Sequence, residues 1–401
     1  MRISRPEISR EENTVVYRTE VESEDGSRDL WFRVDAGFGD LITDTSDAPL
    51  VGLLIPAMAA GEDIHLAGTL SERLYYNLSA PYQALLQHIF PALQKIEIRP
   101  ERLRAEHGRA PGVATGFSGG IDSFCVLADH HYAPDCPESF RLTHLVFNNV
   151  GSHGPGEQGK RLFKIRSDRL APKVERMGLP FVLVDSNLDS FYGEGLTFAK
   201  THTPRSIAVA LLLQQGIGRY MYAAAHTLGH TSVGPDSGIS RADPICLPLL
   251  STEVQEIMPG GEIYPRVEKS FKIAEIPDSY DTLDVCVQDE DINCSRCRKC
   301  TLSMAPLDAA GLLDRYSSQF HVDAYRANRY QLLARALEKP KPGPLRRDIV
   351  RYIKGEYGWR FRLLLPLSMW KYRAAKRIRR PLGRLARRIL HTLGRERKPP
   401  E

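Results

Sequence analysis

The sequence predicts an α/β protein with a parallel sheet, because short apolar segments alternate with helical segments from residue 112 onward. Gly159–Met177 reads as a charged helix, with an interruption expected at Pro172, and Arg205–Gln215 reads as an apolar helix. Strands of parallel sheets are buried on both faces and therefore read as continuous apolar runs. Four segments of this kind lie before, between and after the helices: Val113–Phe117, Leu142–Phe147, Phe181–Val184 and Tyr220–Ala225.

Residues 1–108 are predicted to form a small N-terminal α+β domain. Leu30–Val34 and Ile64–Gly68 have the composition of strands, and Ala80–Phe90 has the apolar spacing of a helix with Pro81 in its first turn. These residues contain no chemical motif, so their expected role is packing or shaping of a substrate site. A chain of 401 residues is long enough for about two or three domains.

The last part, residues 339–401, combines a stiff linker, Lys339–Pro344, with a basic helical tail. After residue 340 there are 19 Lys and Arg against four Asp and Glu, so the rest of the chain is net acidic. Trp370–Arg395 has apolar residues at helical spacing among these cations, with a kink expected at Pro381. Three interpretations of the tail stay open: an anionic membrane surface as partner, RNA as partner, or a solvated helix.

The expected cellular setting follows from two sequence features. Met1–Glu7 is polar and charged and lacks the apolar core of a secretory signal. The longest apolar runs, such as Leu363–Leu367, are far shorter than the roughly 20 residues that a membrane span requires. We therefore expect a cytoplasmic protein without a transmembrane segment, with membrane association through the tail left open.

The segment Ser118–Ser123 has the pattern of a phosphate-binding loop between a strand and a helix. Gly119 and Gly120 allow the backbone to approach phosphates and to adopt conformations that a Cβ would forbid. The helix expected to begin near Ile121 offers free N–H groups and the positive end of its dipole to an anion. These features predict that the loop holds a triphosphate.

Five side chains in and near this loop are candidates for binding or catalysis. The hydroxyls of Ser118 and Ser123 can donate hydrogen bonds to phosphate, and the predicted catalytic residues are Asp122, Ser123 and Asp236. Asp122 is unexpected beside a polyanion, and its predicted catalytic role is to hold Mg²⁺ or act through it. Asp185 follows the third strand candidate, where a ribose or metal contact is expected. Asp236 lies in a loop rich in Gly and Pro and is assigned a second Mg²⁺ or a substrate amine.

Ser118–Ser123 resembles the SGGxDS signature of the PP-loop ATP pyrophosphatases. The resemblance implies a Rossmann-like domain of the adenine nucleotide alpha-hydrolase class, here expected over residues 109–338. It also implies that a substrate oxygen attacks the α-phosphate of ATP, giving an adenylate and pyrophosphate. The residues that match the ATP-binding motif are Ser118, Gly119, Gly120, Ile121, Asp122 and Ser123.

Four cysteines have the spacing of a metal site, which is the expected use of clustered cysteines in a cytosolic chain. They are Cys286, Cys294, Cys297 and Cys300. Zinc takes four thiolates tetrahedrally in structural sites, and neighbouring Arg296, Arg298 and Lys299 would offset the negative charge. An iron–sulfur cluster or free redox cysteines are the alternatives that the spacing leaves open.

The loop and the cysteine spacing together resemble 7-cyano-7-deazaguanine synthase, over Gly112 to about Met304. In that family the four cysteines hold a structural zinc. This chain departs from the family in its N-terminal unit and its basic tail, and no segment clearly matches the part that recognises the deazaguanine base. A paralogue that acts on another carboxylate therefore fits the motifs as well as the synthase does.

Several cations and histidines are further candidates for the site, each weighed against a structural role. Lys200, Arg205, Lys269 and Lys272 are candidates for neutralising phosphate charge. His226 and His230 flank the end of the fourth strand candidate and read equally as ordinary loop residues.

The predicted function is that of an ATP-dependent ligase similar to 7-cyano-7-deazaguanine synthase. It would activate a carboxylate or amide oxygen of a small-molecule substrate as an adenylate, for attack by a nitrogen nucleophile. The expected cofactors are ATP, Mg²⁺ and structural Zn²⁺. Two alternatives stay open: a PP-loop enzyme of the tRNA thiolation type, and a non-catalytic nucleotide-binding adaptor in membrane-linked glycan assembly.

Overall fold

The computed structural model describes residues 1–105, 108–235, 238–286, 292–338, 343–359 and 361–374. The chain divides into two compact units, Met1–Asp284 and Val285–Glu401. The first unit contains the sheet with its helices. The described residues of the second unit are mainly helical.

The elements of the first unit alternate between strands and helices along most of the chain. Up to residue 108 they are β1 (Arg2–Ile3), β2 (Glu7–Glu11), β3 (Thr14–Ser23), β4 (Gly26–Asp35), α1 (Asp47–Ala60), β5 (Ile64–Ser71), α2 (Glu72–Ser79), α3 (Pro81–Ile89) and β6 (Ile98–Arg104). From residue 109 they are β7 (Gly112–Gly116), α4 (Ile121–Leu127), β8 (His144–Asn149), α5 (Gly156–Arg176), β9 (Phe181–Ser186), α6 (Phe198–Leu212), β10 (Ile217–Ala223), α7 (Asp243–Leu249), β11 (Glu256–Gly260) and α8 (Arg266–Ile273).

Five strands, from β7 to β11, form a parallel sheet in the order β9-β8-β7-β10-β11. Each predicted strand overlaps one of them, so the predicted α/β class with a mostly parallel sheet is confirmed. The chain moves from β7 outward through β8 to β9 and then crosses to the other side of β7 with β10. The strand order therefore reverses at β7, and ligands of such sheets bind in the crevice at this point, beyond the carboxyl ends of the strands.

The N-terminal strands continue the same sheet. β4 pairs with β9 in the antiparallel sense, with Phe32 opposite Ser186, and the order then runs β4-β3-β1-β5-β6. β2 pairs with β3 beside this path. Strands from both sides of the predicted boundary near residue 108 thus belong to one sheet, and the boundary itself stays a prediction.

Two helices that are buried on most of their sides, α1 and α6, pack against each other in the core of the first unit. A Cβ at Gly52 of α1 would lie 3.5 Å from the Cβ of Ala208 on α6 and 3.1 Å from Leu188. This small residue lets the helices approach closely. Helix α1 was not expected from the sequence, because its helical propensity is weakened by Pro49, Gly52 and Pro56.

Helix α5 continues through Pro172, where an interruption was expected. Pro172 has no N–H to donate to the carbonyl oxygen of Asp168, one turn earlier. Both residues are exposed, so water can donate to that carbonyl instead. The edge strand β11 was not predicted, since Pro259 and the glycines after Met258 are unfavourable for strands. An edge position tolerates such a proline.

The second unit contains α9 (Arg298–Ala309), α10 (Val322–Ala336), α11 (Pro344–Glu356) and helical residues 361–374. The chain turns between α9 and α10, where Gly311 has a φ of +71°. The buried carboxylate of Asp308 accepts hydrogen bonds from Arg326 and Arg329 of α10 and from Tyr357, just after α11. This acceptor ties the three helices together.

Most of the predicted tail helix, Trp370–Arg395, lies outside the described residues. So do Lys339 to Pro342 of the predicted linker. Among the residues that the structure describes, no helix has both the length and the apolar character needed to cross a membrane.

Candidate functional site

The predicted phosphate loop lies at the carboxyl end of β7, the strand at which the sheet order reverses. β7 ends at Gly116 and α4 begins at Ile121. The N-cap residue of α4 is Gly120, which has no side chain that could cap the first N–H groups of the helix. Gly119 has a φ of +71°, which L-residues with a Cβ rarely adopt. A Cβ there would also lie 3.1 Å from Leu170 and 3.1 Å from the carbonyl oxygen of Thr282. Both conformation and space therefore require glycine at this position.

The two serines of the loop have different environments. Ser118 is exposed, so its hydroxyl can reach a ligand. Ser123 is buried and donates a hydrogen bond of 2.9 Å to the carbonyl oxygen of Gly120. In this arrangement the Ser123 side chain holds the first turn of α4, and its predicted catalytic role stays a prediction.

Asp122 pairs with two cations of α8. One carboxylate oxygen accepts a hydrogen bond of 2.8 Å from Arg266, and the other lies 3.2 Å from Nζ of Lys269. Burial alone would raise the pKa of Asp122, but the attraction of Arg266 and Lys269 outweighs it and lowers the pKa. With two cations for one carboxylate, this group carries one net positive charge, which makes an aspartate compatible with a polyanion nearby.

The lysines predicted to approach the pyrophosphate are both engaged in this structure. Lys269 is fully buried and also donates to the carbonyl oxygen of Ala224, next to the end of β10. Lys272 lies 2.7 Å from Asp129, which follows α4, and Tyr264 donates a hydrogen bond to the same carboxylate. Helix α8 is therefore joined to the α4 region by ion pairs at two levels.

On another side of the loop, the segment that ends the first unit runs past Gly119. The backbone N–H of Asp284 donates a hydrogen bond of 2.8 Å to the carbonyl oxygen of Gly119. Its carboxylate pairs with Arg169 of α5. No sequence motif marks Arg169, Arg266 or Asp284, so these residues could not be predicted. Arg266 is 144 positions from Asp122, Asp284 is 165 positions from Gly119, and Arg169 supports the loop only through Asp284, 115 positions further on.

Asp185 lies on β9, opposite Asn149 at the end of β8. Its carboxylate accepts a hydrogen bond of 2.7 Å from the Asn149 side chain and another from the backbone N–H of Ser186. β9 is two strands from β7, so Asp185 lies roughly 10 Å to the side of the loop. A ribose contact at that position stays a prediction.

His226 follows β10 and interacts electrostatically with Asp122, Lys269 and Arg241. Burial, followed by repulsion from Arg241, lowers the pKa of His226, so its imidazole is neutral near pH 7. Its Nδ1 is buried and has no hydrogen-bond partner among the described residues. Asp236, the third predicted catalytic residue, lies outside the described residues.

The other predicted phosphate-neutralising residues are placed elsewhere. Arg205 is 1% exposed, and its guanidinium pairs with Asp189, bonds the carbonyl oxygens of Val150 and Leu196, and stacks 3.5 Å over the ring of Tyr192. Arg205 is therefore a core residue of α6. Lys200 is exposed and donates to the carbonyl oxygen of Gly195.

The predicted metal-binding cysteines converge in the second unit. All four are buried, and their Sγ atoms lie within 4.8 Å of one another. Four thiolates arranged tetrahedrally at the zinc–sulfur distance of about 2.3 Å would be roughly 3.8 Å apart, close to the 3.9 Å between Cys294 and Cys300. Backbone N–H groups of Cys297 and Cys300 point at the sulfurs of Cys294 and Cys297, at 3.3 and 3.4 Å. The cluster is compatible with a structural zinc site.

Hydrogen bonding within the cluster also favours thiolate. The hydrogen bond between Cys297 and Cys300 lowers the pKa of Cys297 to about 5 and raises that of Cys300, and burial raises the pKa of Cys294. A bound cation would stabilise further thiolates. Comparison with known proteins adds no relative to these observations: no family model, no curated protein and no solved structure matches the chain.

Proposed function

We propose that the chain is an ATP-dependent ligase that activates a carboxylate or amide oxygen as an adenylate. The observation that carries the proposal is the Ser118–Ser123 loop, in which Gly119 adopts a left-handed conformation. This loop follows β7, the strand at which the sheet order reverses. Loop and first-turn amides of α4 are suited to hold phosphate oxygens. The cations around Asp122 favour a polyanion over a neutral ligand.

The proposed reaction has two steps. A substrate oxygen attacks the α-phosphorus, and the bond to the β-phosphate breaks, so pyrophosphate leaves with its negative charge. A nitrogen nucleophile then attacks the activated carbon, loses a proton and displaces AMP. Negative charge develops on the leaving pyrophosphate in the transition state. The fixed cations Arg266 and Lys269 would stabilise this charge more strongly than they stabilise bound ATP.

Mg²⁺ is the proposed ion that Asp122 would hold together with ATP. The Asp122 side chain is 28% exposed, but each of its oxygens meets a cation in this structure, so the ion would have to displace Arg266 or Lys269 from one of them. When bound, the ion would neutralise part of the phosphate charge. Zn²⁺ is the proposed occupant of the four cysteines, with a structural role, because the site offers four buried sulfurs and no open ligand position is needed.

The test is exchange of labelled pyrophosphate into ATP by the full chain, with Mg²⁺ and a panel of heteroaromatic carboxylic acids. We expect exchange with at least one acid and a loss of at least tenfold in Asp122→Asn. The matched control is Asp168→Asn, an exposed carboxylate of α5 paired with Lys164, which should leave exchange unchanged. ATP binding without exchange, AMP formation or pyrophosphate release would instead identify a non-catalytic adaptor.

A further inference from the structure

The helical residues 361–374 at the end of the described chain have one buried and one exposed side. Phe361 and Leu365, one turn apart, are 1% and 7% exposed. The ring of Phe361 lies 5.8 Å from that of Tyr357 and 6.4 Å from that of Tyr330. This side anchors the segment on the second unit.

The other side presents large apolar side chains to solvent. Leu363, Leu364, Leu367 and Trp370 have the spacing i, i+1, i+4 and i+7, so they share one helix face, here named the exposed stripe. Leu367 and Trp370 are 55% and 68% exposed. Trp359, one turn earlier, is also exposed. Five of the twelve large apolar residues exposed in the described chain thus fall within twelve consecutive positions, which is a concentration typical of an interaction surface.

Positive charge adjoins the exposed stripe. Arg362, Lys371 and Arg373 belong to the same helical segment. In the sequence, nine of the eighteen residues 371–388 are Lys or Arg, and none is Asp or Glu. The partner of this surface must therefore offer both an apolar layer and dense negative charge.

We propose that the helical residues 361–374 dock on an anionic lipid bilayer, with the exposed stripe inserted at the level of the headgroups. Leucine side chains gain little from RNA, which presents phosphates and flat bases. A second copy of the chain would bring two strongly positive segments together. An anionic bilayer satisfies both requirements, and Trp at the boundary of water and acyl chains suits an interfacial helix that carries Lys and Arg.

The test uses the full chain with vesicles of phosphatidylcholine alone or with 30% phosphatidylserine, and measures co-sedimentation and tryptophan emission. We expect binding to the anionic vesicles, at least tenfold weaker binding to neutral ones, and a blue shift of the tryptophan emission that Trp370→Phe reduces. Leu363→Ser combined with Leu367→Ser should weaken binding at least tenfold while leaving the melting temperature unchanged, since both side chains are exposed. The matched control is Ile8→Ser, an exposed aliphatic residue on β2, which should not alter binding.

Four results would overturn the proposal. The chain does not bind the anionic vesicles at low salt, or it binds them equally well after the leucine substitutions, which would mean attraction by charge alone. Alternatively, the chain binds tRNA with a steep salt dependence and no vesicles. Self-association that the leucine substitutions abolish, without any lipid binding, would assign the exposed stripe to a second copy.

Discussion

The phosphate loop and the cysteine cluster are built in opposite ways. The loop depends on residues from three separate parts of the first unit: Asp122 meets Arg266 across 144 positions, and Gly119 bonds the backbone of Asp284. The cluster takes all four sulfurs from one stretch of fifteen residues, and backbone N–H groups of Cys297 and Cys300 point at two of them. The loop therefore depends on packing of distant parts of the first unit, whereas the cysteines of the cluster are close together in the sequence and, as proposed, are held by a zinc ion.

The largest expected effect is loss of the metal from the cluster. Cys300→Ser should release the bound ion and unfold the second unit, because binding of structural zinc contributes about 10–16 kcal/mol in small zinc domains. Elemental analysis should find one zinc per chain in the parent and less than 0.1 in the variant, with a lost thermal transition. Cys136→Ser, a half-buried cysteine outside the cluster, is the matched control. A metal-free parent that melts at the same temperature as the variant would show that the cysteines are merely buried thiols.

A smaller effect is expected from removing the carboxylate that Lys269 faces. Asp122→Ala leaves this fully buried cation with only a carbonyl oxygen, and breaking a buried pair typically costs about 3–5 kcal/mol. Because Asp122 is partly exposed, we expect about 2 kcal/mol by urea unfolding. Asp168→Ala, in an exposed pair, should change the stability by about 0–1 kcal/mol. Equal effects of the two substitutions would show that Asp122 is screened like a surface charge.

Asp243 extends the contrast to a carboxylate without a cation. Thr203 donates to one of its oxygens, the other has no partner among the described residues, and burial raises its pKa to about 7. A folded-state pKa above the unfolded value of about 3.8 means that the folded state binds the proton more tightly. This stabilisation is complete below about pH 4 and is lost as the pH rises to about 7.

The measurement is the free energy of unfolding between pH 4.5 and 8 for the parent and Asp243→Asn. The difference between them should change by about 1.4 kcal/mol per unit of pKa shift, hence by a few kcal/mol in total. Asp122, whose pKa is lowered, contributes in the opposite sense: its stabilisation is present above about pH 4 and lost below it. A difference between parent and Asp243→Asn that does not vary with pH would show that Asp243 is charged throughout.

The same contrast explains what could be predicted from the sequence. The strand, the glycine loop and the helix after it are encoded by neighbouring residues, and so is the cysteine spacing. The loop and the cysteine cluster could therefore be predicted from short segments of the sequence. The partners of the loop could not, since Arg169, Arg266 and Asp284 lie in ordinary charged segments and only the folded chain selects them. Arg205 is the opposite case. Its position at the start of an apolar helical segment predicted a phosphate-neutralising residue, but its side chain is buried among core contacts.

The most direct measurement for the phosphate loop is calorimetric titration of the full chain with ATP and Mg²⁺, comparing Gly119→Ala with Gly178→Ala. The two glycines have φ values of +71° and +72°, but only at Gly119 would a Cβ meet neighbouring atoms. Gly178→Ala should cost about 1–2 kcal/mol of stability through backbone strain, and Gly119→Ala more than this, because its Cβ would also press on Leu170 and on the carbonyl oxygen of Thr282. We expect ATP to bind the parent and Gly178→Ala alike, and Gly119→Ala at least tenfold more weakly. Equal affinity in all three proteins would contradict a role of this loop in holding a triphosphate.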